Sequence, residues 1–308
     1  NDAGAVSLGA GSTLTLYSNN PGTTVVNLNG SLSVPSDATI NAVTDSFTIA
    51  PASSTGLLFN GQLKGSATLS LGAFSSANPA TIGSVLLSGD LRLDGPLAIS
   101  GNLDWIPNGY GNILDISAGL TSSLTTRGVT TPRYPTSWGV TQISTALINE
   151  GTLRLSGASL TASGGLLNKG TVEINGQTAT QESAYLRIPS GVTFENQGTL
   201  DLNFNSTYGG WSLLSNSSFQ DGIVLNKGQV NLNSGSSSWE VAFTNTSTGQ
   251  VSLAPGSVLS MQNGKTLAGS FDLASGSTLW LSENHGGIPT TFQSATIAGP
   301  GRIQVLGS

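Results

Sequence analysis

The stretch Asn168-Lys169-Gly170-Thr171-Val172-Glu173-Ile174 decides the fold of this chain, because its pattern recurs. Residues 149–155, 196–202 and 226–232 begin with the same Asn-x-Gly start and continue with alternating apolar and polar residues. The steps between successive starts differ in length, and residues 245–253 form a stretched copy. Alternation with a period of two predicts short strands that bury one face.

A second start, Gly-Ser-x-Leu, precedes other alternating segments. It occurs at residues 11–14, 256–259 and 276–279, with a variant at 190–194. Similar alternation without these starts occurs at residues 68–71 and 90–94. Shared starts that recur at a step of roughly 20 residues, with some longer steps, indicate a repeat protein with insertions.

A repeat of this length with two or three short strands is typical of a parallel β-solenoid, in which each coil lies on the previous one. We predict an all-β fold, a parallel β-helix that forms a single domain over residues 1–308. Stacked Asn side chains are expected to hydrogen-bond from coil to coil, and Gly to supply the positive φ of the tight corners. An antiparallel sandwich or barrel is the alternative, but it does not require one start to recur at coil-like spacing.

Composition narrows the class of protein further. Only 8% of the 308 residues are charged, the net charge is −6, and there is no cysteine. This composition disfavours helical folds, excludes a disulfide scaffold or thiolate metal site, and offers no basic cluster for nucleic acid. No apolar run approaches the roughly 20 residues of a membrane helix. We therefore expect neither a nucleic-acid partner nor membrane insertion. No signal peptide is recognisable at residues 1–4, so we interpret the sequence as a mature form or an excised fragment.

The alternation fades between residues 104 and 140, where prolines and aromatic residues cluster. This segment predicts an insertion or projecting loop within the solenoid. Aromatic rings that stack on the C–H faces of sugars make it a candidate glycan-binding site, together with a second aromatic segment near residue 210. The alternative, given equal weight, is that these aromatic rings are structural and cap the core or hold the loop against the solenoid. The candidate ligand-binding residues are Trp105, Tyr110, Tyr134, Trp138, Tyr208 and Trp211.

Catalytic and metal-binding patterns are weak. Glycosidic-bond cleavage needs clustered carboxylates, but the chain has no Asp-Asp pair, and its only histidine, His285, lies in a turn-like Asn-His-Gly-Gly segment. The segment 302–304, Arg-Ile-Gln, lacks the lysine of the pectin-hydrolase Arg-Ile-Lys motif. We expect no catalytic residues, no metal site and no cofactor, with calcium bound by oxygen ligands as the alternative. Four aspartates in or beside alternating strands are expected on solvent-facing positions: Asp90, Asp94, Asp201 and Asp272.

The recurring Asn-x-Gly-Thr-Leu-x-Leu and Gly-Ser-x-Leu-x-Leu units resemble the passenger regions of bacterial secreted adhesins of the filamentous-haemagglutinin and autotransporter types. The resemblance is clearest over residues 141–308 and looser over 1–103. It implies a right-handed β-helix, secreted or on the bacterial cell surface, that binds a glycan or surface polymer or serves as the stalk for a binding tip. A monomer is expected. The alternative function is a polysaccharide-degrading β-helix enzyme, a lyase, hydrolase or tailspike-like depolymerase.

Overall fold

The computed structural model describes the backbone of most of the chain. The described residues are 6–16, 25–28, 32–42, 46–49, 57–65, 68–71, 80–87, 91–93, 96–105, 114–118, 123–132, 140–176, 184–204, 210–214, 222–282 and 290–306. Every regular element among them is a β-strand. The chain divides into two compact units, Asn1–Gly151 and Thr152–Ser308, which we call the N-terminal and C-terminal units.

Strands of the N-terminal unit stack in three columns, which we call faces A, B and C. Face A holds β2 (Thr13–Leu16), β5 (Thr39–Ala42), β12 (Leu103–Trp105) and β15 (Val129–Pro132). Face B holds β3 (Val25–Leu28), β6 (Ser46–Ile49), β8 (Thr68–Leu71), β10 (Leu91–Leu93), β13 (Leu114–Ala118) and β16 (Val140–Ile143). Face C holds β1 (Val6–Ser7), β4 (Leu32–Val34), β11 (Leu97–Ile99), β14 (Ser123–Thr126) and β17 (Ala146–Asn149). The long strands β7 (Leu57–Gly65) and β9 (Ala80–Leu87) belong to both C and A.

All pairings in this unit are parallel, and the register aligns apolar positions from coil to coil. One row on face A runs Leu14, Ile40, Leu63, Val85 and Leu103. The last four of these side chains are at most 3% exposed. Because each coil alone buries too little apolar surface, stacking supplies the core.

Strands of the C-terminal unit also stack in three columns, which we label faces A, B and C within that unit. Face A holds β18 (Thr152–Ser156), β21 (Thr171–Asn175), β24 (Thr199–Asn203), β27 (Gln229–Ser234), β30 (Gln250–Leu253), β33 (Ser270–Leu273) and β36 (Thr296–Ala298). Face B holds β19 (Ser159–Ala162), β22 (Tyr185–Arg187), β25 (Gly210–Leu214), β28 (Ser236–Trp239), β31 (Val258–Met261), β34 (Thr278–Ser282) and β37 (Arg302–Leu306). Face C holds β20 (Leu166–Asn168), β23 (Thr193–Asn196), β26 (Ile223–Asn226), β29 (Ala242–Asn245), β32 (Lys265–Leu267) and β35 (Thr290–Phe292).

The register of the C-terminal unit confirms the predicted parallel β-helix. Leu153, Val172, Leu200, Val230, Val251 and Phe271 form one buried row on face A. The two longest steps along the asparagine row, from Asn168 to Asn196 and from Asn196 to Asn226, contain segments 177–183, 205–209 and 215–221, which lie outside the described residues. Across these longer steps β21, β24 and β27 stay in register as far as Leu202, and the register shifts between Leu202 and Asn203 and between Trp211 and Leu213.

The asparagines of the Asn-x-Gly starts form the predicted ladder at the corner between faces C and A. Asn168 donates to Asn196 at 2.7 Å, Asn196 to Asn226 at 2.8 Å, and Asn226 to Asn245 at 2.7 Å. All four side chains are fully buried. Each of the first three also donates to a backbone carbonyl of the next coil, such as that of Thr199 at 2.9 Å. The ladder thus satisfies buried side-chain amides and backbone carbonyls at this corner.

The glycines of the two starts have different roles, and the predicted positive φ applies to only one of them. In the Gly-Ser starts the prediction holds, since Gly256 has a φ of 70° and Gly276 of 73°. In the Asn-x-Gly starts of Gly198 and Gly228 the φ is not positive. A Cβ at Gly198 would instead lie 2.1 Å from the carbonyl oxygen of Gly170, so close stacking of coils is what requires glycine there.

Three strands lie within the segment 104–140, for which an insertion was predicted. They are β13, β14 and β15, and each pairs in parallel with strands of its own face. Residues 106–113, 119–122 and 133–139 lie outside the described residues. A projecting loop stays a prediction for those segments.

Candidate functional site

Face B of the C-terminal unit carries an outward row that leads from two serines to a tryptophan. Ser238 pairs with Ser260, and Ser260 pairs with Trp280, in the registers of β28, β31 and β34. The alternation explains why the indole faces outward, because its neighbours in the strand, Leu279 and Leu281, are fully buried. Trp280 is 37% exposed. An exposed large aromatic ring on a flat sheet face is a candidate binding platform.

An open groove of about 420 Å³ lies beside Trp280. This volume is within the range of about 300–1,000 Å³ that is typical of ligand sites. Val258 and Leu306 add apolar surface to that of the indole. The partly exposed polar groups of the lining are the hydroxyls of three serines and one amide, which belong to Ser236, Ser238, Ser260 and Gln262, whereas Ser237 and Ser282 are at most 3% exposed. We call this site the Trp280 groove.

The polar groups along the outward side of the groove are free to bind a ligand. Among the described residues, the hydroxyls of Ser238 and Ser260 and the amide of Gln262 make no side-chain hydrogen bond. Hydroxyl and amide groups both donate and accept, so they can match the hydroxyls of a sugar in either direction.

On face A of the same unit, several outward polar groups bind one another. Arg154 pairs with Glu173 at 2.5 Å, and this hydrogen-bonded carboxylate raises the pKa of the Arg154 guanidinium. Asn231 donates to Asp201 at 2.8 Å, and Asn203 donates to Asn175 at 2.9 Å. In these three pairs, outward groups of face A satisfy one another.

The lining of the Trp280 groove is electrically neutral. None of the described residues that line it is charged. Among the described residues, the nearest charged residues by register are Glu240, which directly follows β28, and Arg302, which begins β37; Glu283, which follows β34 in the sequence, lies outside the described part. Recognition in the groove thus rests on an apolar surface and neutral hydrogen-bonding groups.

Two of the six predicted aromatic residues have a described backbone. Trp105 lies in β12 of the N-terminal unit, where it pairs with Pro132. Trp211 lies in β25, where its Cα is the register partner of Ser238, so its backbone is aligned with the row of Trp280. Their side chains lie outside the described part of the structure, as do four complete residues: Tyr110, Tyr134, Trp138 and Tyr208. Their role in binding stays a prediction.

Sequence reasoning missed Trp280, although a signal for it was present. In the segment Thr278-Leu279-Trp280-Leu281, strict alternation assigns the two leucines to the core and the indole to the surface. Trp239, in contrast, lies on an inward position of its strand. It is fully buried, its Nε1 donates to Oγ of Ser212 at 2.8 Å, and its ring meets Phe243 edge-to-face at 5.1 Å.

Titratable groups do not converge at the groove in the described residues. Asp201 and Asp272 lie on outward positions of face A, in agreement with the prediction, whereas Asp90, Asp94 and His285 lie outside the described residues. Across the described ranges, there is no group of three or more His, Asp or Glu side chains that could hold a metal ion. The same residues contain no helix with the length and apolarity needed to span a membrane.

The chain is a parallel β-helix, and the described residues that line its candidate binding groove on face B are uncharged. Comparison of the sequence with protein-family models gives no match, and searches of curated proteins and of solved structures give none either.

Proposed function

We propose that this chain is a segment of an exported bacterial surface adhesin that binds a glycan or surface polymer, and that the Trp280 groove contacts the polymer. The observation that carries the proposal is the exposed indole of Trp280 beside the hydroxyls of Ser238 and Ser260, which make no side-chain hydrogen bond within the described part of the chain. A flat apolar ring flanked by a few polar groups is the combination that binds sugars. The repeat resemblance and the β-helix fold support the adhesin class.

The geometry favours binding over bond cleavage. Glycoside cleavage requires a carboxylate or a comparable acid and base next to the bond. No carboxylate or imidazole is among the described residues that line the groove. Polysaccharide degradation is therefore the second candidate function, and its test belongs in the same experiment.

The proposal is tested with a panel of bacterial, plant and host polysaccharides. Each sample is assayed for retained protein and for newly released reducing ends. The wild-type chain is compared with Trp280→Ala, and with Trp280→Phe as the matched control that keeps an aromatic face. We expect retention without release for the wild type, at least about tenfold weaker retention for Trp280→Ala, and near wild-type retention for Trp280→Phe.

The other outcomes each contradict a part of the proposal. Release of reducing ends identifies an enzyme. If no protein is retained and no reducing ends are released, the result favours a stalk without a binding site of its own. Equal retention of wild type and Trp280→Ala places the binding site outside the Trp280 groove. The circular dichroism spectrum and melting temperature of Trp280→Ala serve as the folding control, because substitution of an outward side chain changes stability by only about 0.5 kcal/mol.

A further inference from the structure

The Trp280 groove also specifies what kind of glycan it fits. We infer that its ligand is a neutral, extended glycan that lies along the stacking direction of the coils, an inference that rests on the proposed function. Three features carry it: the charge of the lining, the direction of the outward row, and the distribution of the free polar groups.

Charge argues against a polyanionic ligand. Carboxylated and sulfated glycans are bound by Arg and Lys, which pair with the anionic groups. The described lining of the groove offers no cation, and the nearest described charges, Glu240 and Arg302, are of opposite sign. A polyanion would find no ion pair within the described lining, and the net charge of −6 of the whole chain would disfavour its approach.

Direction follows from the register. The groove is lined from β28, β31, β34 and β37, which are successive strands of one face. Neighbouring strands are about 4.8 Å apart, so the lining spans roughly 14 Å along the stacking direction. A chain laid along it meets Ser238 and Ser260 before it reaches Trp280. A chain laid across it would meet only one of these three residues.

The free polar groups flank this path. Ser236 and Val258 lie two residues before the central row in their strands, and Gln262 lies two residues after Ser260. The indole of Trp280 supplies an apolar surface in the central row, and the hydroxyl of Ser236 and the amide of Gln262 lie on opposite sides of that row, which suits a chain whose ring faces are apolar and whose ring edges carry hydroxyls.

The test measures equilibrium binding of the whole chain to soluble oligosaccharides by calorimetry. The probes are gluco-, manno- and xylo-oligosaccharides of one to six sugars, and oligogalacturonides of the same lengths. We expect at least one neutral series to bind, with an affinity that rises over the first few sugars and then levels off, since the lining is only about 14 Å long. We expect the anionic series to bind at least about tenfold more weakly.

Two outcomes overturn the inference in distinguishable ways. If oligogalacturonides bind more tightly than every neutral series, and this binding weakens with salt and is lost in Trp280→Ala, the groove binds a polyanion, and the inference fails while the proposed function stands. If no oligosaccharide binds and no polysaccharide retains the protein, both fail. An affinity that is the same for one sugar as for six would contradict the extended arrangement alone.

Discussion

The side-chain amide of Asn196 donates a hydrogen bond of 2.8 Å to Oδ1 of Asn226, and neither side chain reaches solvent. The two residues are 30 positions apart in the chain and come from successive coils. Asn196 also accepts from Asn168 and donates to the carbonyl oxygen of Gln229 at 3.0 Å. One amide therefore joins three coils at a buried corner.

The first prediction concerns this ladder. Asn196→Ala leaves Oδ1 of Asn226 and the carbonyl of Gln229 without that donor, and a buried unsatisfied group costs about 1–3 kcal/mol. We expect a loss of about 2 kcal/mol or more in the free energy of unfolding, measured by urea denaturation. The matched control is Asn233→Ala, because Asn233 is an exposed asparagine that donates to Asn203 at 3.0 Å. The control should lose less than about 0.5 kcal/mol. Equal losses would mean that the ladder does not stabilise the corner.

The second prediction separates the two kinds of glycine. Gly256 has a φ of 70° and no atom within 4 Å of the position of its Cβ, so Gly256→Ala should cost about 1–2 kcal/mol, the cost of a left-handed backbone. Gly256→Asn should be milder, because asparagine tolerates this conformation. At Gly198 the obstacle is the carbonyl oxygen of Gly170, so Ala and Asn should both be severely destabilising. Melting temperatures of the four variants test this, and a Gly198→Asn variant as stable as Gly256→Asn would contradict it.

The third prediction concerns acid. Hydrogen bonds from Gln197 and Lys227, each 2.7 Å long, lower the pKa of Glu195. A folded-state pKa below the unfolded value stabilises the fold above the unfolded pKa, and this contribution is lost as pH falls through the folded pKa. We expect the melting temperature of wild type minus that of Glu195→Gln to decrease between about pH 7 and about pH 3. The effect should be small, since surface ion pairs contribute less than about 1 kcal/mol. A difference independent of pH would show that the carboxylate is not stabilised by these partners.

The fourth prediction uses two serines of one coil. Ser252 and Ser260 are half-buried, outward residues in the middle of β30 and β31, but only Ser260 lines the Trp280 groove. Loss of one hydrogen bond of about 0.5–1.5 kcal/mol should weaken glycan binding by about two- to tenfold in Ser260→Ala. Ser252→Ala should bind like the wild type. The measurement is the Kd for the tightest-binding oligosaccharide, and equal values for the two variants would exclude a contact with Ser260.

The sequence predicts the fold well because the information is local and repeated. Alternation assigns each strand a buried face, and the Asn-x-Gly start marks the corner of each coil. Even Lys265, which is 2% exposed, follows the rule that every second residue of a strand faces the core, since Leu267 lies two positions further on the same buried face. Its partner could not be predicted, because Nζ donates to the carbonyl oxygen of Ser282, which is supplied by a strand of another face.

The candidate site is harder to predict, because a groove consists of residues that only the register brings together. Ser238, Ser260 and Trp280 come from three successive coils, and nothing local in the sequence marks them as neighbours. Composition directed attention to clustered aromatics instead, whereas a single indole in a regular strand gave only the alternation as a signal. The role of Gly198 could not be predicted from the local sequence either, because its close approach to Gly170 depends on the stacking of coils.

The most direct test of the Trp280 groove is fluorine NMR of the chain labelled with 5-fluorotryptophan. The chain has five tryptophans, and the resonance of each is assigned by single Trp→Phe variants. On addition of a polysaccharide that retains the protein, we expect a shift of the Trp280 resonance, while that of the buried Trp239 stays unchanged. An unchanged Trp280 resonance together with a shift of Trp105 or Trp138 would contradict the account and place the binding site at the aromatic segment between residues 104 and 140.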